Sequence, residues 1–102
     1  MDSLAWLQTW YMQQCNGDWE HQNGVSIETL DNPGWLLKIQ LIKTPLDHKP
    51  FEALRIDRTK TDWIDCSVKP WIKSWDEHVF QAAGGPLNLE EMVQIFRKWV
   101  ES

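Results

Sequence analysis

Residues 25–42 read Val25-Ser26-Ile27-Glu28-Thr29-Leu30-Asp31-Asn32-Pro33-Gly34-Trp35-Leu36-Leu37-Lys38-Ile39-Gln40-Leu41-Ile42, and their pattern decides the fold class. Val25, Ile27 and Thr29 alternate with Ser26, Glu28 and Leu30; Trp35, Leu37, Ile39 and Leu41 alternate with Leu36, Lys38, Gln40 and Ile42. A period of two sends successive side chains to opposite faces, so each run reads as a strand with one face toward a core. Asp31-Asn32-Pro33-Gly34 joins them as a hairpin. Pro33-Gly34 suits the centre of a type II turn, whose twist fits a tight hairpin poorly, so a loop of four or more residues is expected.

A helix is expected on the N-terminal side of this hairpin, from Ser3 to Cys15. Leu4, Leu7 and Tyr11 mark one stripe, with Trp6 and Trp10 four apart beside it. Asp2 or Ser3 can cap its start, and Asn16-Gly17 ends it. On the C-terminal side, Phe51 to Arg58 reads as a strand with Leu54 and Ile56 inward, then a turn at Arg58-Thr59-Lys60. Asp62 to Lys69 is a clearer strand, Ile64, Cys66 and Val68 on one face and Trp63 and Asp65 on the other. From Trp71 to Ala82 the expectation is a bend and a short strand through His78, Val79 and Phe80, and Ala83-Gly84-Gly85-Pro86 reads as a loop. The last helix has the clearest pattern. Asn88 is expected as its N-cap, with Glu91 completing a variant capping box and Leu87 stapled onto Met92. Leu89, Met92, Val93, Phe96, Trp99 and Val100 form one apolar face. These elements add up to a single α+β domain over residues 1–102, an antiparallel sheet of about four to six strands with N-terminal and C-terminal helices packed on it.

Composition narrows the classes of function. The chain has 102 residues, 42% hydrophobic and 25% charged, which suits one soluble domain and excludes a disordered chain. No apolar run is long enough to span a bilayer. Two cysteines, Cys15 and Cys66, are too few for a disulfide framework, and Met1-Asp2 lacks the basic start of a signal peptide; a cytoplasmic location is the expectation. The net charge of −5 resides in the first third, where Asp2, Asp18, Glu20, Glu28 and Asp31 meet no Lys or Arg before Lys38. That distribution suits steering of a basic partner and argues against nucleic acid as direct ligand; it also suits plain solubility.

Eight tryptophans are unusual for this length. Trp6, Trp10 and Trp99 fall on helix stripes and read as core, whereas Trp63 opposes the apolar face of its strand and reads as exposed or second-layer. Exposed Trp would also suit an interaction or sugar-binding module. Asp18-Trp19-Glu20-His21 is the densest polar cluster. A neighbouring Glu and His invite acid–base work, yet adjacent strand residues face apart. A turn entering the sheet, with Asp18 accepting backbone hydrogen bonds, is the simpler reading, and these residues remain candidates for binding contacts. His21, His48 and His78 show no metal-ligand spacing with the cysteines, so no metal is expected. Cys66 as nucleophile would give a small sulfurtransferase-like enzyme, but its apolar neighbours oppose a thiolate and no anion loop follows. Gly84-Gly85-Pro86 lacks the Lys-Ser/Thr of a nucleotide cradle.

Trp10-Tyr11, Gln14-Cys15, Gly17-Asp18-Trp19-Glu20-His21, Gly24, Ile27, Thr29 and Asp31-Asn32-Pro33-Gly34-Trp35 together resemble the immunity protein 53 family of bacterial polymorphic toxin systems. The likeness continues through Thr44, Asp62-Trp63, Cys66, Gly84-Gly85-Pro86, Leu89, Phe96 and Trp99; Gln22 and Asn23 stand where an aromatic is expected. The resemblance implies a non-catalytic antitoxin without cofactors, whose partner is a cognate toxin domain, a basic domain or nuclease among the candidates, with no membrane partner. It implies contacts at Asp18, Trp19, Glu20, His21, Asp31 and Trp35; the outward residues Trp63 and Asp65 join that set.

Overall fold

The two alternating runs do pair. In the structure, a computed structural model that describes residues 2–69 and 78–102, β1 (Val25–Leu30) and β2 (Gly34–Gln40) are antiparallel, with Ile27 opposite Leu37 and Leu30 opposite Gly34. The connection is three residues, Asp31 to Pro33, shorter than expected. Gly34 is drawn into the strand, because there its backbone lies against the next strand. A Cβ at Gly34 would stand 2.3 Å from the Gly84 carbonyl oxygen, so no other residue fits without a shift.

β3 (Leu54–Asp57), β4 (Trp63–Lys69) and β5 (Val79–Gly84) complete a five-stranded antiparallel sheet in the order β1-β2-β5-β4-β3. One row crosses all five strands: Ile27, Leu37, Ala82, Cys66 and Leu54. Leu37, Ala82 and Cys66 at its centre are fully buried, while Ile27 and Leu54 on the edge strands are exposed. Ala83 and Gly84, expected in a loop, end β5 instead. Alanine and glycine are weak strand formers, but here the paired strands on both sides override propensity. Trp71 and Trp75 lie outside the described residues, as does the first part of the expected bend.

Helices α1 (Ser3–Gln14) and α3 (Leu89–Glu101) pack on one face of the sheet and on each other. Asp2 caps α1, its carboxylate accepting from the Leu4 N–H at 3.3 Å. The buried stripe of α1 is Ser3, Leu7 and Trp10, with Trp6 half-buried, while Leu4 and Tyr11 are exposed. The expected stripe is thus rotated by about one residue. Bulk explains it: Trp6 and Trp10 close edge-on over Phe96, with ring centroids 5.9 and 5.1 Å away, and the smaller Leu4 faces out. Phe96 also meets Phe80 of β5 at 5.0 Å, so one aromatic joins both helices to the sheet.

Asn88 is not a side-chain cap for α3. Its Oδ1 accepts from the N–H groups of Gly85 at 3.1 Å and Trp63 at 3.3 Å, and its amide donates to Asp62 at 2.9 Å. The Gly85 amide also donates to the Trp63 carbonyl at 3.0 Å, so Asn88 sits on the bond that closes this strand end, and that end claims the side chain. Glu91, expected in a capping box, instead receives Arg58 at 2.5 Å, while Arg58 also binds Asp62 at 2.7 Å. Leu87 does not staple onto Met92; it is 94% exposed. The far end of α3 is held by Lys49, whose ammonium donates to the carbonyls of Trp99 at 2.8 Å and Ser102 at 2.9 Å.

Candidate partner-binding surface

Asp18, Trp19, Glu20 and His21 sit where α1 turns back toward the sheet. Gly17 has φ +90°, a left-handed backbone that glycine adopts without strain. Asn16 Oδ1 accepts from the Asp18 N–H at 3.0 Å and the Trp19 N–H at 2.9 Å. The Glu20 carboxylate accepts from Asn16 at 2.9 Å and Gly17 at 2.7 Å. The side chains that accept in this turn are therefore those of Asn16 and Glu20, while Asp18 accepts through its backbone carbonyl, from the His21 N–H at 3.1 Å. Trp19–Gln22 forms a single helical turn, α2, rather than extended chain. Its own backbone N–H, followed by those of Asn16 and Gly17, holds the Glu20 carboxyl below the usual carboxylate range.

These four residues divide by exposure. Trp19 is buried, its indole N–H donating to the Ile42 carbonyl at 2.8 Å and its ring edge-on to Trp10. Asp18 and His21 are exposed, and Glu20 is half-buried. Asp31 is exposed in the β1–β2 turn, while Trp35 is half-buried and donates from Nε1 to the Pro86 carbonyl at 2.9 Å. The six residues of β1 separate the two groups, a span of about 20 Å. Trp63 and Asp65 lie elsewhere. They alternate with the buried Ile64 and Cys66, three strands from β1, and so belong to the face away from the helices. The structure brings the first-third residues to one edge of the sheet and leaves Trp63 and Asp65 apart from them.

The chemical alternatives meet the same geometry. Cys66 is fully buried beneath the helices, and burial first, then Asp65 and Glu91, pushes its thiol up to about 12. Such a thiol is a poor nucleophile near neutral pH. Gly84 and Gly85 are packing glycines: a Cβ on Gly85 would stand 2.0 Å from the Thr61 carbonyl oxygen. Of the six described tryptophans, Trp10, Trp19 and Trp99 are buried and Trp6, Trp35 and Trp63 half-buried, so none among them presents a fully open ring. Among the described residues no group of three or more His, Cys, Asp or Glu is arranged to hold a metal, and no helix is long and apolar enough to cross a membrane. A polar cleft of about 390 Å³ beside His21 is lined by Asn23, Ser26, Lys38, Gln40 and Gln81 among others. Its amides, hydroxyl, ammonium and imidazole offer both hydrogen-bond donors and acceptors.

Residues 4–101 match the family model described as Immunity protein 53. No curated protein and no solved structure matches the chain.

Proposed function

The chain belongs to the immunity protein 53 family, and on that premise we propose that it is a non-catalytic, cytoplasmic antitoxin that binds and neutralises a protein toxin encoded beside it. The match across nearly the whole chain carries this reading. The buried, high-pKa Cys66 is consistent with it, since the strongest candidate nucleophile is shielded. The mechanism is steric: a folded domain covers a surface the toxin needs. The exposed acids Asp18, Glu28 and Asp31 outnumber the cations beside them, Lys38 across from Ser26 and Lys43 beside Asp18, and their net negative field favours a basic toxin domain and speeds its approach. Asp18, His21, Asp31 and Trp35 are the proposed contacts, with Trp19 and Glu20 holding the turn that presents them.

The test is co-expression with the toxin domain of the neighbouring gene. Cells making both proteins should grow, and the two should co-purify as a complex. Growth arrest despite abundant, folded antitoxin would overturn the proposal.

A further inference from the structure

Among the described residues six large hydrophobics are exposed, and four of them, Leu4, Tyr11, Ile27 and Leu87, line two hollows on the helix side of β1. One hollow, about 300 Å³, lies between α1 and the start of β1; the other, about 410 Å³, continues past Leu4 to Trp35 and Leu87. Leu4 lines both, so the hollows form one groove along the edge strand. Leu87 at 94% exposure has no packing role that would explain a leucine there. Contiguous exposed apolar surface of this kind marks an interaction site.

The rim has one sign of charge. Asp2 and Glu90 line the groove, and no Lys or Arg does. Glu90 accepts from the Ser3 hydroxyl at 2.8 Å and the Gln94 amide at 3.0 Å, neutral donors that orient its charge without cancelling it. The strand itself adds a third feature. β1 is at the sheet edge, and Gln40 donates to the Gly24 carbonyl, so the pairing alternation turns the backbone groups of Val25, Ile27 and Thr29 outward.

We infer that this groove is where the toxin docks, and that the docked segment is extended and apolar and carries a Lys or Arg. Its main chain adds to the β1 edge, its alternate side chains fill the hollows beside Leu4, and its cation meets Asp2 and Glu90. A second copy of this chain fits worse. The edge strand Val25–Leu30 and the groove of a second copy carry no Lys or Arg, so it brings no cation to Asp2 and Glu90 in a molecule already at −5. The inference rests on the antitoxin reading and adds to it the site and the chemistry of the partner segment.

The experiment measures Kd for the full-length chain and the adjacent-gene toxin domain, with melting temperature and oligomeric state recorded for each variant. Leu4→Lys/Leu87→Lys should weaken binding about 100-fold, because both side chains are exposed anchors of a desolvated contact. Asp2→Asn/Glu90→Gln should weaken it less, with a flatter salt dependence, and Glu52→Lys, exposed before β3 and outside the groove, should leave Kd unchanged. If the wild type binds and the folded double-lysine variant binds within twofold of it, the groove is not the site, while the antitoxin reading stands. A wild type that does not bind the toxin overturns both. A dimer that the double-lysine variant disrupts, with toxin affinity intact, assigns the groove to a second copy and overturns this inference.

Discussion

The indole of Trp19 donates to the backbone carbonyl of Ile42, 23 residues away, at 2.8 Å. This bond ties the acidic turn to the chain leaving β2, so the most conspicuous residue of the motif is a structural anchor. Trp19→Ala should cost roughly 3–5 kcal/mol from lost burial and the space left, and Trp19→Phe less. Urea unfolding checks this, and an unchanged midpoint for Trp19→Ala would show that the turn is held by Asn16 and Glu20 alone.

Phe96 is the second anchor, meeting Trp6, Trp10 and Phe80 at once. Phe96→Ala should destabilise the domain by about 3–5 kcal/mol, a large share of the 5–15 kcal/mol typical of a domain. A cooperatively folded variant with wild-type melting temperature would refute the packing.

Asn88 and Leu87 are neighbours with opposite expectations. Asn88→Ala takes the side-chain acceptor from the Trp63 amide, at about 1–3 kcal/mol for a donor left unpaired, while the Gly85 amide keeps the Trp63 carbonyl. Leu87→Ser should change stability by no more than about 0.5 kcal/mol, as for a surface site. Thermal melts of the two variants separate these outcomes, and a reversed order would restore the hydrophobic staple.

Cys66 gives a pH signature. Its thiol is raised to about 12 in the folded state, so it stays protonated there while the unfolded chain releases the proton above about 8.5. The stabilisation is full below the unfolded value and is lost as pH rises toward the folded one. Melting temperature should fall between about pH 9 and 12, and less so in Cys66→Ala relative to its own neutral value. At neutral pH an aromatic disulfide reagent should titrate Cys15 quickly and Cys66 only on unfolding.

Glu20 acts at the other end of the scale. Its carboxyl is lowered by its own amide and those of Asn16 and Gly17, so the unfolded state binds more protons as pH falls through the ordinary carboxylate range, near 4. Stability therefore rises with pH there and is lost in acid. Glu20→Gln should flatten the acid limb of the melting curve; an identical limb would remove Glu20 from the turn's closure.

The hairpin, both terminal helices and the α+β class were legible because burial on one face imposes a period on the residues that face it. Cys66 beside Ile64 and Val68 was legible for the same reason. The exceptions are places where a distant group decides. Asn88 reads as a cap until the amides of Trp63 and Gly85 are in view, and Gly84 reads as loop until Gly34 lies against it. Leu4 and Leu87 follow the apolar pattern of a core stripe and a staple, yet they face solvent, because Trp6, Trp10 and Phe96 fill the interior first. For the proposed docking surface, the acids of the first third were visible as charge. The apolar groove, which of those acids only Asp2 lines, was not, because it joins α1, β1 and the loop before α3.

That this chain neutralises a toxin through the acidic edge formed by its first third is tested most directly by association kinetics. The rate is measured with the adjacent-gene toxin domain at low and high salt, for the wild type and for Asp18→Lys/Glu28→Lys/Asp31→Lys. These three side chains are exposed, so the variant should fold as the wild type does. The wild type should associate fast and slow with added salt, and the reversal should cut the low-salt rate by about tenfold or more. Equal rates for the two folded proteins at low salt would contradict it.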